Sequence, residues 1–283
     1  MSHFNVAVFT DETTNVDELL EPYYEGLEVP VYIYKTKEQI IQKIRNDIKS
    51  QVEDGPYSKW KKEPITYERN SNPEHINFLK NEFPKMLAWT DEDCYKEGIS
   101  WYEDENIDEN GNVLSTYNPN SKWDWYTIGG RWNGMLKASR GKHGEGGLFT
   151  PNKREKGKYD IAKVSDIDFS MDVDTYNKSI RWWEVVVEKS PLKSDEKKED
   201  FFNYYTLEYL IEKYKNKENY ALASSSFNTF GVVLPDGSWH DKGQMGWFAC
   251  VSNEDYDWDL KYKEHFIDTA NPDWTLTIVD CHI

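Results

Sequence analysis

The segment that decides the fold is Leu276-Thr277-Ile278-Val279-Asp280-Cys281-His282-Ile283. Its run of apolar and β-branched residues predicts a sheet strand over residues 274–282. Side chains alternate between the two faces of a strand, so Leu276, Ile278, Asp280 and His282 share one face. That face changes from apolar to polar along the strand.

A second strand is predicted over residues 3–9, where Phe4, Val6 and Val8 share one face. If the two strands pair antiparallel as neighbours in one sheet, His3 lies beside Asp280 and His282. Two interpretations stay open. Either the three side chains form a metal or acid–base site, or the chain ends are frayed or Asp280 only holds a histidine in place structurally.

The other segments mix helical and extended patterns. Thr36 and Gln39 form a capping-box pattern that predicts a helix over 37–52. Further strands are predicted at 182–188 and 220–227, and a hairpin joins 99–102 to 113–117. The expected fold class is α+β, with a mainly antiparallel sheet and packed helices, in one elaborated domain or two closely packed subdomains.

Composition shifts suggest three regions along the chain. Residues 1–189 form an aromatic-rich α+β region that includes a basic, glycine-rich loop at 137–158. Residues 190–200 have the composition of a charged linker. Residues 201–283 form a C-terminal α+β region that is expected to complete the sheet.

The bulk composition excludes several classes of protein. The 283 residues carry a net charge of −17, which disfavours binding to duplex nucleic acid or to anionic membranes. No apolar window is long enough to span a bilayer, and the N-terminus lacks a signal-peptide pattern. The expected location is the cytoplasm. The three cysteines show no CxxC spacing, so reduced thiols are expected.

Charge is distributed in blocks. Residues 91–110 carry a net charge of −8, whereas residues 137–158 carry +5. Such blocks are usually solvated faces and are sometimes docking surfaces. The acidic block could also imitate the phosphates of a nucleic acid towards a basic partner.

The most unusual segment runs from Ser121 to Trp132 and predicts a strand that ends in a glycine turn. Its candidate ligand-binding residues are Trp123, Trp125, Tyr126, Arg131 and Trp132. In one interpretation Arg131 grips a phosphate or carboxylate while a ring stacks on a base or sugar. In the other, the rings are core and Arg131 pairs with Asp124 or another acid.

Known catalytic motifs do not resolve the function. The chain lacks the P-loop, GxSxG and HExxH patterns, so the sequence leaves open whether the protein is an enzyme and which cofactor it uses. It assigns no metal ligand.

Several segments resemble an uncharacterised group of bacteriophage and prophage proteins. They are the opening Met1-Ser2-His3-Phe4, residues 115–126 running into Gly129-Gly130-Arg131-Trp132, residues 243–247, and the ending Val279-Asp280-Cys281-His282-Ile283. The resemblance implies a phage accessory protein in the cytoplasm of a bacterial host, and it carries no catalytic residue.

These observations lead to two expected functions. The first is binding of a host bacterial protein, such as a defence complex, and its inhibition. The alternative is a nucleotide-binding or nucleotide-processing enzyme that uses Arg131 for the phosphate.

Overall fold

The computed structural model describes residues 2–142 and 157–283. The chain divides into two compact units, one made of Met1–Leu27 with Asn118–Ile283 and the other of Glu28–Tyr117. The boundary expected at 190–200 differs from this division. Arg181 clamps Glu196 through two hydrogen bonds of 2.8 Å, which ties this segment to the first unit. Most of the predicted basic loop, residues 143–156, lies outside the described residues.

The strands that the structure describes are β1 His3–Thr10, β2 Tyr32–Lys35, β3 Val113–Ser115, β4 Trp125–Ile128, β5 Leu136–Lys137, β6 Lys158–Tyr159, β7 Ile161–Lys163, β8 Gly231–Val233, β9 Trp239–Asp241, β10 Gln244–Met245, β11 Val251–Ser252 and β12 Thr275–His282. The α-helices in the same residues are α1 Val16–Leu20, α2 Lys37–Glu53, α3 Pro56–Lys62, α4 Pro64–Arg69, α5 Pro73–Asn77, α6 Phe83–Met86, α7 Asp91–Ile99, α8 Val173–Val186, α9 Leu207–Tyr214, α10 Lys217–Ser225 and α11 Trp258–Tyr262. Short π-helical segments at Phe78–Glu82 and Lys263–Ile267 follow α5 and α11.

The main sheet of the first unit has the strand order β4-β12-β1-β8-β9, and β7 also pairs with β12. β1 and β12 pair antiparallel over their whole lengths, from His3 opposite His282 to Thr10 opposite Thr275. Only the β1–β8 pairing within this sheet is parallel. The predictions of an α+β fold and of neighbouring terminal strands are confirmed.

Both faces of the β1–β12 pair are covered. Ala7, Phe9, Leu276 and Ile278 point to a core that includes Tyr262 of α11. On the opposite face, Phe4, Val6, Val8, Val279 and Cys281 pack with Leu20 of α1 and with Trp123. The central strands are therefore buried on both sides, which matches their nearly continuous apolar sequence.

The second unit is mainly helical. The capping box at Thr36 is present, and α2 extends from Lys37 to Glu53, as predicted. The predicted hairpin is wrong, because Ile99 ends α7 and β3 pairs with β2 instead. A turn does form at residues 108–111, where the Asp108 carboxylate accepts backbone hydrogen bonds from Asn110 and Asn112.

Two strands predicted in the first unit are helical. Residues 182–186 belong to α8. The N-cap of this helix is Asp172, whose side chain accepts a 2.7 Å hydrogen bond from the Thr175 N–H. Residues 220–225 belong to α10, capped by Asn216. In α8 the buried residues Ser179, Trp183 and Val186 follow helical spacing, so packing outweighed the strand propensity of the valines.

Candidate functional site

The candidate site lies where one face of the β1–β12 pair changes from apolar to polar. Beyond Ala7 and Ile278, the same face carries His3, Asp280 and His282. We call these three residues, with Asp124 and Trp125 at the start of the adjacent strand β4, the polar end. The antiparallel register sets His3 opposite His282, which brings together residues 279 positions apart in sequence.

The first histidine is held by a buried carboxylate. His3 Nδ1 lies 2.8 Å from Asp280 Oδ1, and the Asp280 side chain is 3% exposed. The other oxygen of Asp280 accepts a 2.9 Å hydrogen bond from the backbone N–H of Arg131. Asp280 therefore links the histidine to the glycine turn that carries Arg131.

The second histidine has a carboxylate of its own. His282 Nδ1 lies 2.7 Å from Asp124 Oδ1, which also accepts a 2.7 Å hydrogen bond from the Trp125 backbone N–H. The Trp125 ring stacks on His282 with a centroid distance of 4.9 Å and an interplanar angle of 17°. The His3 ring meets His282 edge-on at a centroid distance of 4.9 Å.

These contacts determine how the two imidazoles can react. An ionised carboxylate only accepts hydrogen bonds, so each Nδ1 carries a proton and each neutral ring has its lone pair on Nε2. Neither Nε2 has a hydrogen-bond partner among the residues that the structure describes. Both nitrogens are therefore left to bind a ligand or to exchange a proton with one.

The glycine turn fits closely against two carboxyl groups. Gly129 and Gly130 have φ values of +70° and +54°, a region that side chains disfavour. A Cβ at Gly130 would lie 2.5 Å from Asp280 Cβ, and one at Gly129 would lie 2.7 Å from Asp160 Oδ2. Two glycines are needed here because the backbone passes directly against Asp280 and Asp160.

Asp160 is a buried acid beside the polar end. Its Oδ1 accepts a 2.6 Å hydrogen bond from the Gly134 N–H, whereas its Oδ2 is buried without a partner. Burial raises the pKa of this carboxyl, and the bond from Gly134 only partly opposes that effect. Asp160 thus favours its protonated form more than an ordinary aspartate.

Arg131 points away from the core. Its side chain is exposed, and no carboxylate among the described residues pairs with its guanidinium. The predicted ion pair with Asp124 is absent from the described residues, because Asp124 instead holds His282. Its five N–H donors are therefore available to an anion.

The other predicted site residues do not converge. Trp123 is 8% exposed and donates a 3.1 Å hydrogen bond from its indole to the Leu20 carbonyl. Tyr126 lies on the same side as Trp123, where its hydroxyl bonds to Asp17 and burial raises its pKa. Trp132 packs against the opposite core. Of the five aromatic and basic candidates, Trp125 belongs to the polar end, and Arg131 is joined to it through the bond from its backbone N–H to Asp280.

Sequence reasoning missed two members of the site. Asp124 was considered only as a partner for Arg131, and Asp160 was not considered. The strand alternation gives a signal for neither, because Asp124 precedes β4 and Asp160 precedes β7. Both strands pair with β12, and that pairing brings the two acids to the site.

Comparisons and metal geometry complete the description. No family model, no curated protein and no solved structure matches this chain. Within residues 2–142 and 157–283, no group of three His, Cys, Asp or Glu side chains is arranged to hold a metal ion. None of the helices in these ranges is long and apolar enough to cross a membrane. The polar end is therefore interpreted from its own geometry.

Proposed function

We propose that the polar end binds a small phosphate-bearing ligand, of which a nucleotide is the expected class, and exchanges protons with it. The observation that carries the proposal is the pair of histidines. Each is oriented by a carboxylate at 2.7–2.8 Å, and each leaves Nε2 without a partner in the described chain.

Two side chains contact the ligand directly in this proposal. The Arg131 guanidinium matches two oxygens of a phosphate, a geometry that lysine does not copy. The Trp125 ring, which is 45% exposed, offers a flat surface beside His282. A planar group on the ligand can pack there while its phosphate meets Arg131.

The histidines supply acid–base chemistry. A neutral Nε2 accepts a proton from a ligand hydroxyl or from water, and a protonated Nε2 donates one to a departing oxygen. Asp280 and Asp124 hold the two rings in place through their Nδ1 atoms. Two histidines in contact allow one to act as a base while the other acts as an acid.

The test compares AMP with adenosine, because the two ligands differ only in the phosphate. Arg131→Ala is expected to weaken AMP about tenfold to a hundredfold, which is the worth of one or two hydrogen bonds to a charged group. Adenosine affinity should stay unchanged. Isothermal titration calorimetry measures both affinities. It is applied to wild type, Arg131→Ala, Arg131→Lys and the exposed control Arg69→Ala.

Arg131→Lys should lose most of the preference for AMP and Arg69→Ala none of it. Equal affinities of wild type for AMP and adenosine would contradict the proposal.

The acidic segment favours a second candidate, binding of a basic host protein by a phage accessory protein in the bacterial cytoplasm. Asp91, Glu92, Asp93 and Asp108 already have partners within the second unit. No described cation pairs with Glu97, Glu103, Asp104, Glu105 or Glu109. Trp101, which is 78% exposed, lies in the same stretch and offers an apolar contact.

This candidate predicts salt-sensitive binding. Raising the salt from 0.1 M to 1 M shortens the Debye length from about 10 Å to about 3 Å, which weakens contacts between exposed charges. A host protein that binds in stoichiometric amount at low salt should no longer bind at 1 M salt. It should also fail to bind the Glu103→Lys/Glu105→Lys variant at low salt. Capture that is unaffected by salt and by both charge reversals would contradict an acidic interface.

A further inference from the structure

A cavity away from the polar end lies in the first unit, between α8, α9, α10 and residues 202–205. Its volume is about 320 Å³, which is at the small end of the range for ligand sites. Seven of its eleven lining residues are aromatic. We call it the aromatic pocket. It shares no lining residue with the polar end.

The rings of the aromatic pocket present flat surfaces. Trp182 stacks on Tyr220 at a centroid distance of 5.0 Å and an angle of 26°. Tyr205 stacks on Tyr209 at 5.0 Å and 27°. Because the rings of each pair lie nearly parallel, their outer faces suit a further flat ring rather than a branched side chain.

A buried ammonium lies at the wall of the pocket. Lys213 is 6% exposed, and its Nζ lies 2.5 Å from Glu254 Oε1 and 3.3 Å from the Tyr209 hydroxyl. These contacts engage two of its three N–H donors. Nζ also lies 5.2 Å from the centre of the Tyr214 ring, so the third N–H meets an aromatic face rather than an oxygen or nitrogen acceptor of the described residues. The Tyr209 hydroxyl donates to the other oxygen of Glu254 at 2.8 Å.

The charges around this wall cancel. Glu254 also lies 3.9 Å from Lys242, which pairs with Asp259 at 2.6 Å. Two cations and two anions are therefore matched, and a ligand that brought a net charge would leave it uncompensated. The burial and pairing of these groups favour an uncharged ligand with a hydrogen-bond acceptor.

The pocket mouth exposes more aromatic surface than folding requires. Phe202, Tyr204 and Tyr205 are 64%, 88% and 60% exposed. The hydroxyls of Tyr204 and Tyr205 have no hydrogen-bond partner among the described residues. A contiguous exposed aromatic patch beside a cavity is typical of a binding site.

We propose that the aromatic pocket binds an uncharged planar heteroaromatic ring of the nucleobase type. The ring stacks on the exposed tyrosine faces, and an acceptor at its edge takes the remaining Lys213 N–H. This proposal is independent of the phosphate site at the polar end, because no charged group of the ligand takes part in it.

The experiment titrates adenosine into 15N-labelled full-length protein and follows the amide resonances by NMR. The amides of residues 202–209 are expected to shift in wild type. Tyr205→Ala should lose at least about fivefold in affinity, since one base on one ring is worth about 1–3 kcal/mol. Tyr205→Phe keeps the ring and should bind within about twofold of wild type.

Two controls separate this site from others. Trp101→Ala removes an exposed ring from the second unit, and Arg131→Ala removes the proposed phosphate contact. Neither variant should change adenosine binding. Binding that Arg131→Ala abolishes would overturn the pocket proposal. The same holds if adenosine causes no shifts at 202–209 or if Tyr205→Ala binds normally.

Discussion

The two halves of one face of the β1–β12 pair differ in chemistry although both contain side chains that are fully or almost fully buried. In the apolar half, Ala7, Phe9, Leu276 and Ile278 are 0% exposed. In the polar end, Asp280 and His282 are 2% and 4% exposed on the same two strands. The backbone pairing continues unchanged from one half into the other.

The gain in stability from burial accounts for the side chains of the apolar half only. Burying a large apolar side chain stabilises a fold by about 1.5–3 kcal/mol. A buried polar pair gains little in net terms, because its hydrogen bonds mainly offset the loss of hydration. Since apolar side chains would serve folding as well, the gain in stability does not by itself explain the buried polar residues of this end.

The largest expected effect on stability lies in the apolar half. Ile278→Ala should lower the free energy of unfolding by about 2–5 kcal/mol, because it leaves a cavity in a core that is fully buried. The preference for AMP over adenosine should be retained. Chemical denaturation and calorimetry measure the two quantities, and a loss below about 1 kcal/mol would show that this half is loosely packed.

A smaller loss of stability is expected at the turn that joins Arg131 to Asp280. Gly130→Ala introduces a Cβ 2.5 Å from Asp280 Cβ, whereas Gly237→Ala, at φ +83°, meets no atom within 4 Å. Both variants carry the cost of a positive φ. Gly130→Ala should cost about 1–3 kcal/mol more, from overpacking, and should also weaken phosphate binding. Equal denaturation midpoints for the two variants would contradict the close fit.

Asp160, the acid beside the glycine turn, should make the free energy of unfolding depend on pH. Burial raises the pKa of Asp160, so the folded state holds this proton more tightly than the unfolded chain, where the ordinary value is 3.8. The stabilisation is complete below pH 3.8 and is lost as pH rises through the folded pKa. Relative to Asp160→Asn, wild type should therefore lose stability as pH rises. Urea denaturation across this range tests the sign, and a constant or growing wild-type advantage would refute it.

The smallest effect on stability is expected for Arg131→Ala. The side chain is exposed and has no ion pair among the described residues, so the free energy of unfolding should change by less than about 0.5 kcal/mol. Thermal unfolding measures this change. A melting temperature far below that of wild type would make Arg131 a structural residue and remove it from the site.

The sequence predicted the parts of the site that depend on strand alternation. β1 begins at His3 and β12 ends at His282. Their antiparallel pairing places His3, Asp280 and His282 together. The sequence could not predict that Asp124 and Asp160 lie at the site, because their positions depend on which strands pair with β12. The valines of 185–187 misled the prediction, since local propensity says nothing of the partner helix α10 that packs against α8.

Local sequence signals also explain why the strand pairing of the second unit was predicted wrongly. β2 and β3 are separated by about 80 residues of mostly helical chain, and their pairing depends on how the unit closes rather than on a local turn. The turn at 108–111 was recognisable from its residues, whereas the strand that β3 joins was not.

The central claim is that His3 and His282 form a ligand site with Arg131, and histidine side-chain NMR tests it most directly. Inorganic phosphate contains no ring, so it probes the polar end without engaging the aromatic pocket. The account predicts that phosphate shifts the imidazole resonances of His3 and His282 in wild type, leaves those of His75 and His265 unchanged, and shifts none of the four in Arg131→Ala. Unshifted His3 and His282 resonances at saturating phosphate, or equal shifts in wild type and Arg131→Ala, would contradict the claim.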